Sequence, residues 1–460
     1  MLRRIIIIGG YILGAVIVIG GTVVLVAYGN GYSYDLKAGR LVHRGLLLLE
    51  SKPSNSAVSL NGRDLNDTTP YRKSLEGGTY TYSLAKDGYR TWTKEVEIIP
   101  SRVTATQYVL LMPQRFEVSD ISTYPAIQQF VSSGDRSRIA YIVPGGQEAG
   151  LWMLNARNQK TERIYTIPLD PAGQPLEKLE VLSWADDASK VLVKKTSAAG
   201  ETGLVLAANG SGSPIDLNDM FKTNVLASRF SKADSSQLLW SSPEGLRRID
   251  INDRSVSEPL ARGVLAYADA GDRIFYVSNA TPKPSLWQVN RGGQKRQLVE
   301  SLPPSASYDV AYSSYINVPQ VAVAVPDQQK TLLYPNVDAD SLTPIAVQTP
   351  SGNLSFNGDG RFLLITSAAG VANYDQELSK LYNLSTGSSP IGGISWFDNY
   401  HLQYVQDGKA VLSEYDGNYA TGITRVNGLP PFNSPDDKSL FVVAQTSSGS
   451  MQIRSIQIRQ

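Results

Sequence analysis

Cysteine is absent from all 460 residues, which removes thiolate catalysis, cysteine zinc sites, disulfides and lipidation of an N-terminal cysteine together. Histidine is nearly absent. His43 and His401 are the two present, and they fall in segments that read as different domains, so an imidazole-based active site is not expected. Excess charge of either sign is missing as well: 43 Lys and Arg face 42 Asp and Glu, for a formal charge of +1. No Lys/Arg-rich block stands out, which argues against a nucleic-acid partner. A Walker loop, a G-x-G-x-x-G at a strand-to-helix junction and a G-x-S-x-G elbow are also lacking. Nucleotide cofactors and an appended serine-peptidase domain therefore have no support, and no cofactor of any kind is expected.

What the sequence does have is one long apolar run. Ile5 to Tyr28 carries no charge, and at 1.5 Å per residue it can cross a hydrocarbon core of roughly 30 Å. A cleavable signal peptide has a shorter apolar region of roughly 7 to 15 residues, so an uncleaved single-pass anchor is expected over residues 1–30. Gly10 and Gly14 form a G-x-x-x-G pair on one helix face, which reads either as ordinary glycine usage in membrane helices or as a weak dimer contact. Arg3 and Arg4 precede the run while Lys37, Arg40 and Arg44 follow it, so the positive-inside count does not orient the helix. A short tail before the anchor and a large remainder after it predict a cell-membrane protein with the bulk of the chain extracytoplasmic.

Residues 31–44 read as a juxtamembrane linker. From Gly45 short apolar or alternating runs are cut by turn residues: GLLLLE, SAVSLNG, GTYTYSLAKDGY, WTKEVEII and TATQYVLLMP. These are strands. Tyr80, Tyr82 and Leu84 share one face and Thr79, Thr81 and Ser83 the other, the period of a half-buried antiparallel strand. Asn61-Gly62 and Asp87-Gly88 suit tight turns. In order and spacing, Pro53 to Ala57 before Val58-Ser-Leu-Asn-Gly62, then Thr69-Pro70, Leu75 to Tyr80 and Lys86-Asp-Gly-Tyr89, resemble the PEGA domain. The resemblance implies a small β-sandwich of bacterial and archaeal surface proteins over residues 45–112. One departure is visible: the family's Pro-x-Gly-Ala is here Pro53-Ser-Asn-Ser56-Ala57, one residue longer and with serine for glycine. Tyr80, Tyr82, Tyr89 and Trp92 are expected in its core, with a sugar-stacking platform the alternative.

Residues 113–460 repeat. An aromatic or small residue, an acidic or glycine turn and an apolar strand recur as FNGDGRFLLIT at Phe356, FNSPDDKSLFVVAQ at Phe432, FSKADSSQLLWSS at Phe230, WADDASKVLVKK at Trp184, YADAGDRIFYVS at Tyr267, WFDNYHLQYVQ at Trp396 and VSSGDRSRIAYIV at Val131. A degraded copy, YSSYINVPQVAVAV at Tyr312, lacks the acidic turn. Second strands correspond too, as in GLWMLNA at Gly150, GLRRIDIN at Gly245 and SLWQVNR at Ser285. Spacing that runs from the high thirties to about fifty residues predicts a β-propeller. The copies number eight, with seven the alternative, and RFEVSDIS at Arg115 is placed to supply the outer strand that the final copy lacks. The turn and strand resemble the repeats of TolB-like and WD40-like propellers. The fold class is thus all-β: an N-terminal transmembrane helix, a small PEGA-like β-sandwich, then a seven- or eight-bladed β-propeller.

Candidate chemistry is sparse. Asp186-Asp187, Asp338 with Asp340, and Asp436-Asp437 could hold calcium or divide acid and base roles, but at blade turns the simpler role is to accept backbone hydrogen bonds. Trp184 and Trp396 precede equivalent turns and could face the channel mouth or pack between blades. No catalytic, cofactor or metal residue is assigned. The expectation is a non-enzymatic, membrane-anchored envelope protein whose propeller binds an envelope protein or a cell-wall polymer. The alternatives are a glycan-acting propeller enzyme using channel carboxylates, which requires Asp, Glu, Arg and Tyr to converge in the channel, and a structural envelope scaffold.

Overall fold

A computed structural model describes residues 2–35, 39–384 and 389–459; Lys37, Gln460 and the side chains of Arg3 and Arg4 lie outside it. The chain divides into two compact units, 1–116 with 459–460, and 117–458.

In the first unit a helix spans Leu2–Gly29, and none of the residues of the apolar stretch Gly9–Gly29 is buried. Its length meets the requirement for crossing a bilayer. Carbons added at Gly10 or Gly14 would meet nothing within 4 Å. The helix stops where Gly31 takes a φ of +80°, a value glycine adopts without penalty. Gly31 then accepts a bond from Arg44 N at 2.8 Å. Beyond it, the segment expected as a linker is instead a strand pair: Tyr32–Asp35 runs antiparallel to the start of Arg40–Lys52, with Tyr32 opposite His43. The reason is local. Val42 is buried at 3% exposure, and the Tyr32 and His43 rings stack 4.1 Å apart.

Two four-stranded sheets follow. One joins Tyr32–Asp35, Arg40–Lys52, Tyr71–Glu76 and Val103–Leu110; the other joins Arg63–Thr68, Ala57–Leu60, Gly78–Ala85 and Trp92–Ile98. Between them Leu47, Leu49, Val58, Tyr82, Leu84, Trp92 and Val109 form a core, each aliphatic side chain contributing about 1.5–3 kcal/mol by leaving water. Tyr80 is half-buried with its hydroxyl on Glu76 O, and Tyr89 is buried, so the aromatic set packs inward. The departure at Ser56 also has an account. Ser56 is fully buried; its N–H bonds Thr69 Oγ1 at 3.1 Å and its hydroxyl donates to Pro53 O at 2.9 Å, so the longer turn is held by hydroxyls where the family uses glycine.

Among the described residues the second unit contains eight four-stranded antiparallel sheets, seven of them simple meanders. Blades I to VII span 130–166, 177–216, 228–256, 264–299, 309–348, 353–384 and 392–425. Blade VIII combines 432–457 with Glu117–Tyr124, which pairs antiparallel with Met451–Gln457. That strand precedes blade I in sequence and completes the last sheet.

The second strand of each blade lies between neighbouring sheets, so both of its faces are covered and it reads as a continuous apolar run. Arg138–Val143, Val318–Val325 and Ser439–Gln445 are nearly wholly buried. Cores join successive blades: Leu151 with Val181, Leu192 with Phe230, Leu239 with Tyr276, Phe275 with Val323, Leu333 with Leu363, and Leu364 with Leu402. Blades VII and VIII meet through polar bonds, Asn433 Nδ2 to Phe397 O at 2.7 Å and Asn427 N to Val443 O at 3.0 Å. The ring closes where Phe441 of blade VIII packs in one cluster with Tyr141 of blade I. This is a β-propeller. The degraded copy is blade V, in which Ile316 and Asn317, at φ of 51° and 60°, make the two-residue turn that replaces the acidic one.

Candidate binding pocket at the inner blade turns

The first strands of the blades neighbour one another around the axis, and the turn from first to second strand repeats on one face. In five blades its acidic residue does the same job. Asp135 accepts from Ser137 N, Asp187 from Ser189 N, Asp234 from Ser236 N, Asp359 from Arg361 N and Asp436 from Lys438 N, at 2.7 to 3.2 Å. Burial raises the Asp135 and Asp187 carboxyls, yet hydrogen bonds from Ser133 and Ser137, and from Ser189, outweigh it and hold both below the ordinary carboxylate range. Asp436 is held low mainly by the Ser434 hydroxyl. Of the other sequence candidates, Asp338 pairs with Arg273 Nη1 at 2.6 Å, while Asp186 and Asp340 are exposed. Among the described residues no group of three or more His, Asp or Glu is placed to hold a metal ion.

Four blades converge on one cavity of about 330 Å³. Blade I supplies Ser132, Ser133 and Arg136, blade VI Gly358, blade VII Ser395 to Asn399 and Gln403, and blade VIII Phe432 and Asn433. A hydrogen-bonded chain crosses its wall. Arg136 Nη1 donates to Asp437 Oδ1 at 2.5 Å and to Phe397 O at 2.9 Å. Asn433 Nδ2 donates to the same Asp437 oxygen at 2.6 Å, and Gln403 Nε2 donates to Asn433 Oδ1 and to Ser395 Oγ, both at 3.1 Å. Asp398 bonds His401 Nδ1 at 2.8 Å; His43 belongs to the other unit.

Two polar atoms in this wall are buried with no hydrogen-bond partner, Gln403 Oε1 and Trp396 Nε1. Such atoms ordinarily find partners. The two tryptophans singled out by sequence thus differ: Trp184 packs against the core of blades I and II with its N–H on Val131 O at 3.3 Å, whereas Trp396 stacks on Phe362 at 5.9 Å and lines the cavity.

Sequence reasoning missed Gln403. Aligning the second strands on their first residues puts it in a column with Ala140, Leu192, Ser236, Phe275, Gln320, Leu364 and Phe441, all buried. Two amides and a serine stand there among five apolar residues, so the column alone does not single Gln403 out.

Elsewhere in the propeller, Arg229 on the first strand of blade III lies within electrostatic reach of Tyr267 on that of blade IV and of Asp309 on that of blade V. Burial pushes Asp309 above the usual carboxylate range, against hydrogen bonds from Leu354 and Val310 N–H and the attraction of Arg229. Burial likewise raises Tyr267.

Residues 44–113 match the PEGA domain family. No curated protein matches the chain. Solved structures similar to it include an oligogalacturonate lyase in complex with manganese, at 12% identity and TM-score 0.42, covering 75% of this chain and 98% of that one. The Dos1 propeller matches at 11% identity and TM-score 0.42, over 74% and 95% of the two chains. Citrobacter koseri AztD matches at 12% identity and TM-score 0.41, over 76% and 93%.

Proposed function

We propose that this chain is a non-catalytic, single-pass envelope protein: the apolar helix anchors it in the cell membrane, the PEGA domain stands next to the anchor, and the propeller is displayed outside the cytoplasm to bind another envelope component. The observation that carries the binding reading is the use made of the recurrent acids. A hydrolytic site needs carboxylates aimed at a substrate, and the turn aspartates are instead engaged by their own backbones. The membrane reading is supported by the exposed apolar helix and its hydrogen-bonded continuation into the sandwich.

The test is protease treatment of intact cells carrying a tag after Gln460, with lysed cells as control. Loss of the tag from intact cells is expected; a tag that survives until lysis overturns the outward display.

A second reading, a glycan-acting enzyme, draws support from Arg229 at the first strands, which lies within electrostatic reach of both Tyr267 and Asp309. It is the weaker one because acid and base roles need two carboxyls, and Asp309 is the carboxyl that burial lifts among the described residues.

A further inference from the structure

We propose that the cavity at the turns of blades I, VI, VII and VIII binds a neutral pyranose sugar unit, with Gln403 and Trp396 as its recognition pair. This deepens the binding reading above by naming a ligand class, and the glycan source it implies rests on that reading.

Three features select the ligand. The first is charge: Arg136 is paired with Asp437 and Asp398 with His401, so the charged groups around the cavity already have partners and a charged ligand gains little. The second is the hydrogen-bonding left over. Gln403 Oε1 is an acceptor and Trp396 Nε1 a donor, both unpaired in the wall of one cavity. A sugar hydroxyl both donates and accepts, so a ring that carries several of them can answer an acceptor and a donor together. The third is shape. Trp396 and Phe432 offer ring surface beside the small hydroxyls of Ser132 and Ser395, which suits a ligand with an apolar face and a polar edge. A peptide backbone fits less well, since the wall carbonyl of Phe397 already accepts from both Arg136 and Asn433.

Both unpaired atoms are buried, although their residues line the cavity. Engagement therefore requires the Gln403 amide and the Trp396 ring to turn toward the cavity, which pairs the two atoms while exchanging the bonds that Gln403 Nε2 makes to Ser395 and Asn433 for bonds to the ligand. The blade II counterpart makes the contrast: Trp184 has its N–H satisfied and a leucine, Leu192, stands in its Gln403 column.

The experiment uses the full chain purified in detergent, titrated with glucose, galactose, mannose and N-acetylglucosamine by saturation-transfer NMR and calorimetry. Glucuronate serves as the charged comparison. Saturable binding of at least one neutral sugar is expected, with Trp396→Phe and Gln403→Leu each weakening it about tenfold or more, equivalent to about 1.4 kcal/mol. Trp184→Phe should leave binding unchanged, and thermal melting of the variants shows that a loss is not unfolding.

The proposal is overturned if no neutral sugar binds up to about 10 mM, tenfold above a Kd of about 1 mM. Binding that Trp396→Phe and Gln403→Leu leave intact also overturns it, as does glucuronate binding as tightly as glucose. Failure here is separable from failure of the envelope reading: tag loss from intact cells without sugar binding removes the pocket assignment alone, while sugar binding with a protected tag removes the outward display alone.

Discussion

Gly360 sits in the inner turn of blade VI at a φ of +80°, and a side-chain carbon placed there would lie 2.3 Å from Ser314 O and 2.9 Å from Gln320 Nε2 of blade V. The same residue's carbonyl accepts from Gln320 Nε2 at 2.6 Å and Gln376 Nε2 at 2.5 Å. Gly360→Ala therefore combines two costs. The left-handed backbone costs an L-residue about 1–2 kcal/mol, and relieving the overlap means moving blade V backbone, which costs about 1–3 kcal/mol. The sum is about 2–5 kcal/mol.

Two companion variants separate these terms. Gly449 has a φ of +87° and open space around it, and Gly134 has open space with no positive φ. Gly449→Ala should thus show the backbone term alone, about 1–2 kcal/mol, and Gly134→Ala should change stability by less than about 0.5 kcal/mol. Urea unfolding followed by tryptophan fluorescence reads the propeller, because five of six tryptophans (Trp152, Trp184, Trp240, Trp287 and Trp396) lie in its blades. The order Gly360→Ala, Gly449→Ala, Gly134→Ala from most to least destabilised is expected. Equal effects at Gly360 and Gly449 would refute the close seating of blade VI against blade V.

The clasp between the last and first blades gives another test. Tyr124 is 5% exposed, its ring lies 5.3 Å from Trp152 and 5.5 Å from Tyr141, and its hydroxyl bonds Tyr141 OH at 2.8 Å. Tyr124→Ala should cost about 3–5 kcal/mol and Tyr124→Phe about 1 kcal/mol, measured by the same unfolding; similar small losses for both would mean the clasp does not hold the ring. Asp309 supplies a pH test. Its folded pKa is raised by burial, so its contribution is fully present below the ordinary carboxyl value of 3.8 and is lost as pH rises from there through the folded value. Asp309→Asn should consequently gain stability on the wild type as pH rises from 3.8 toward neutrality, and a pH-independent difference in melting temperature would contradict it.

The period and the turn chemistry made the propeller readable, because each blade repeats one physical problem: an apolar second strand covered on both faces, entered through a bend that an aspartate can hold. Even the outer strand from before blade I could be anticipated, since Met451–Gln457 would otherwise be an open edge. The linker was misread for a related reason. YSYD and RLVH are short, and their pairing is decided by one buried valine and a ring stack, which no local periodicity announces.

The cavity was hidden differently. Its residues are scattered from Ser132 to Asn433, and each is ordinary where it stands; only ring closure brings blade I beside blade VIII. Comparing the chain with itself narrows the search only in part. In a repeat protein every blade is a control for the others, and the column that holds Gln403 also holds a second buried amide, Gln320, and a serine, Ser236, so polarity in that column does not by itself mark the cavity. What marks it is the company Gln403 keeps: Gln320 is tied to Gly360 at the seam of blades V and VI, whereas Gln403 stands with Trp396, which differs from Trp184 in its hydrogen bond and not in its identity. Two polar atoms without partners, on residues that line one cavity, mark this face of the propeller.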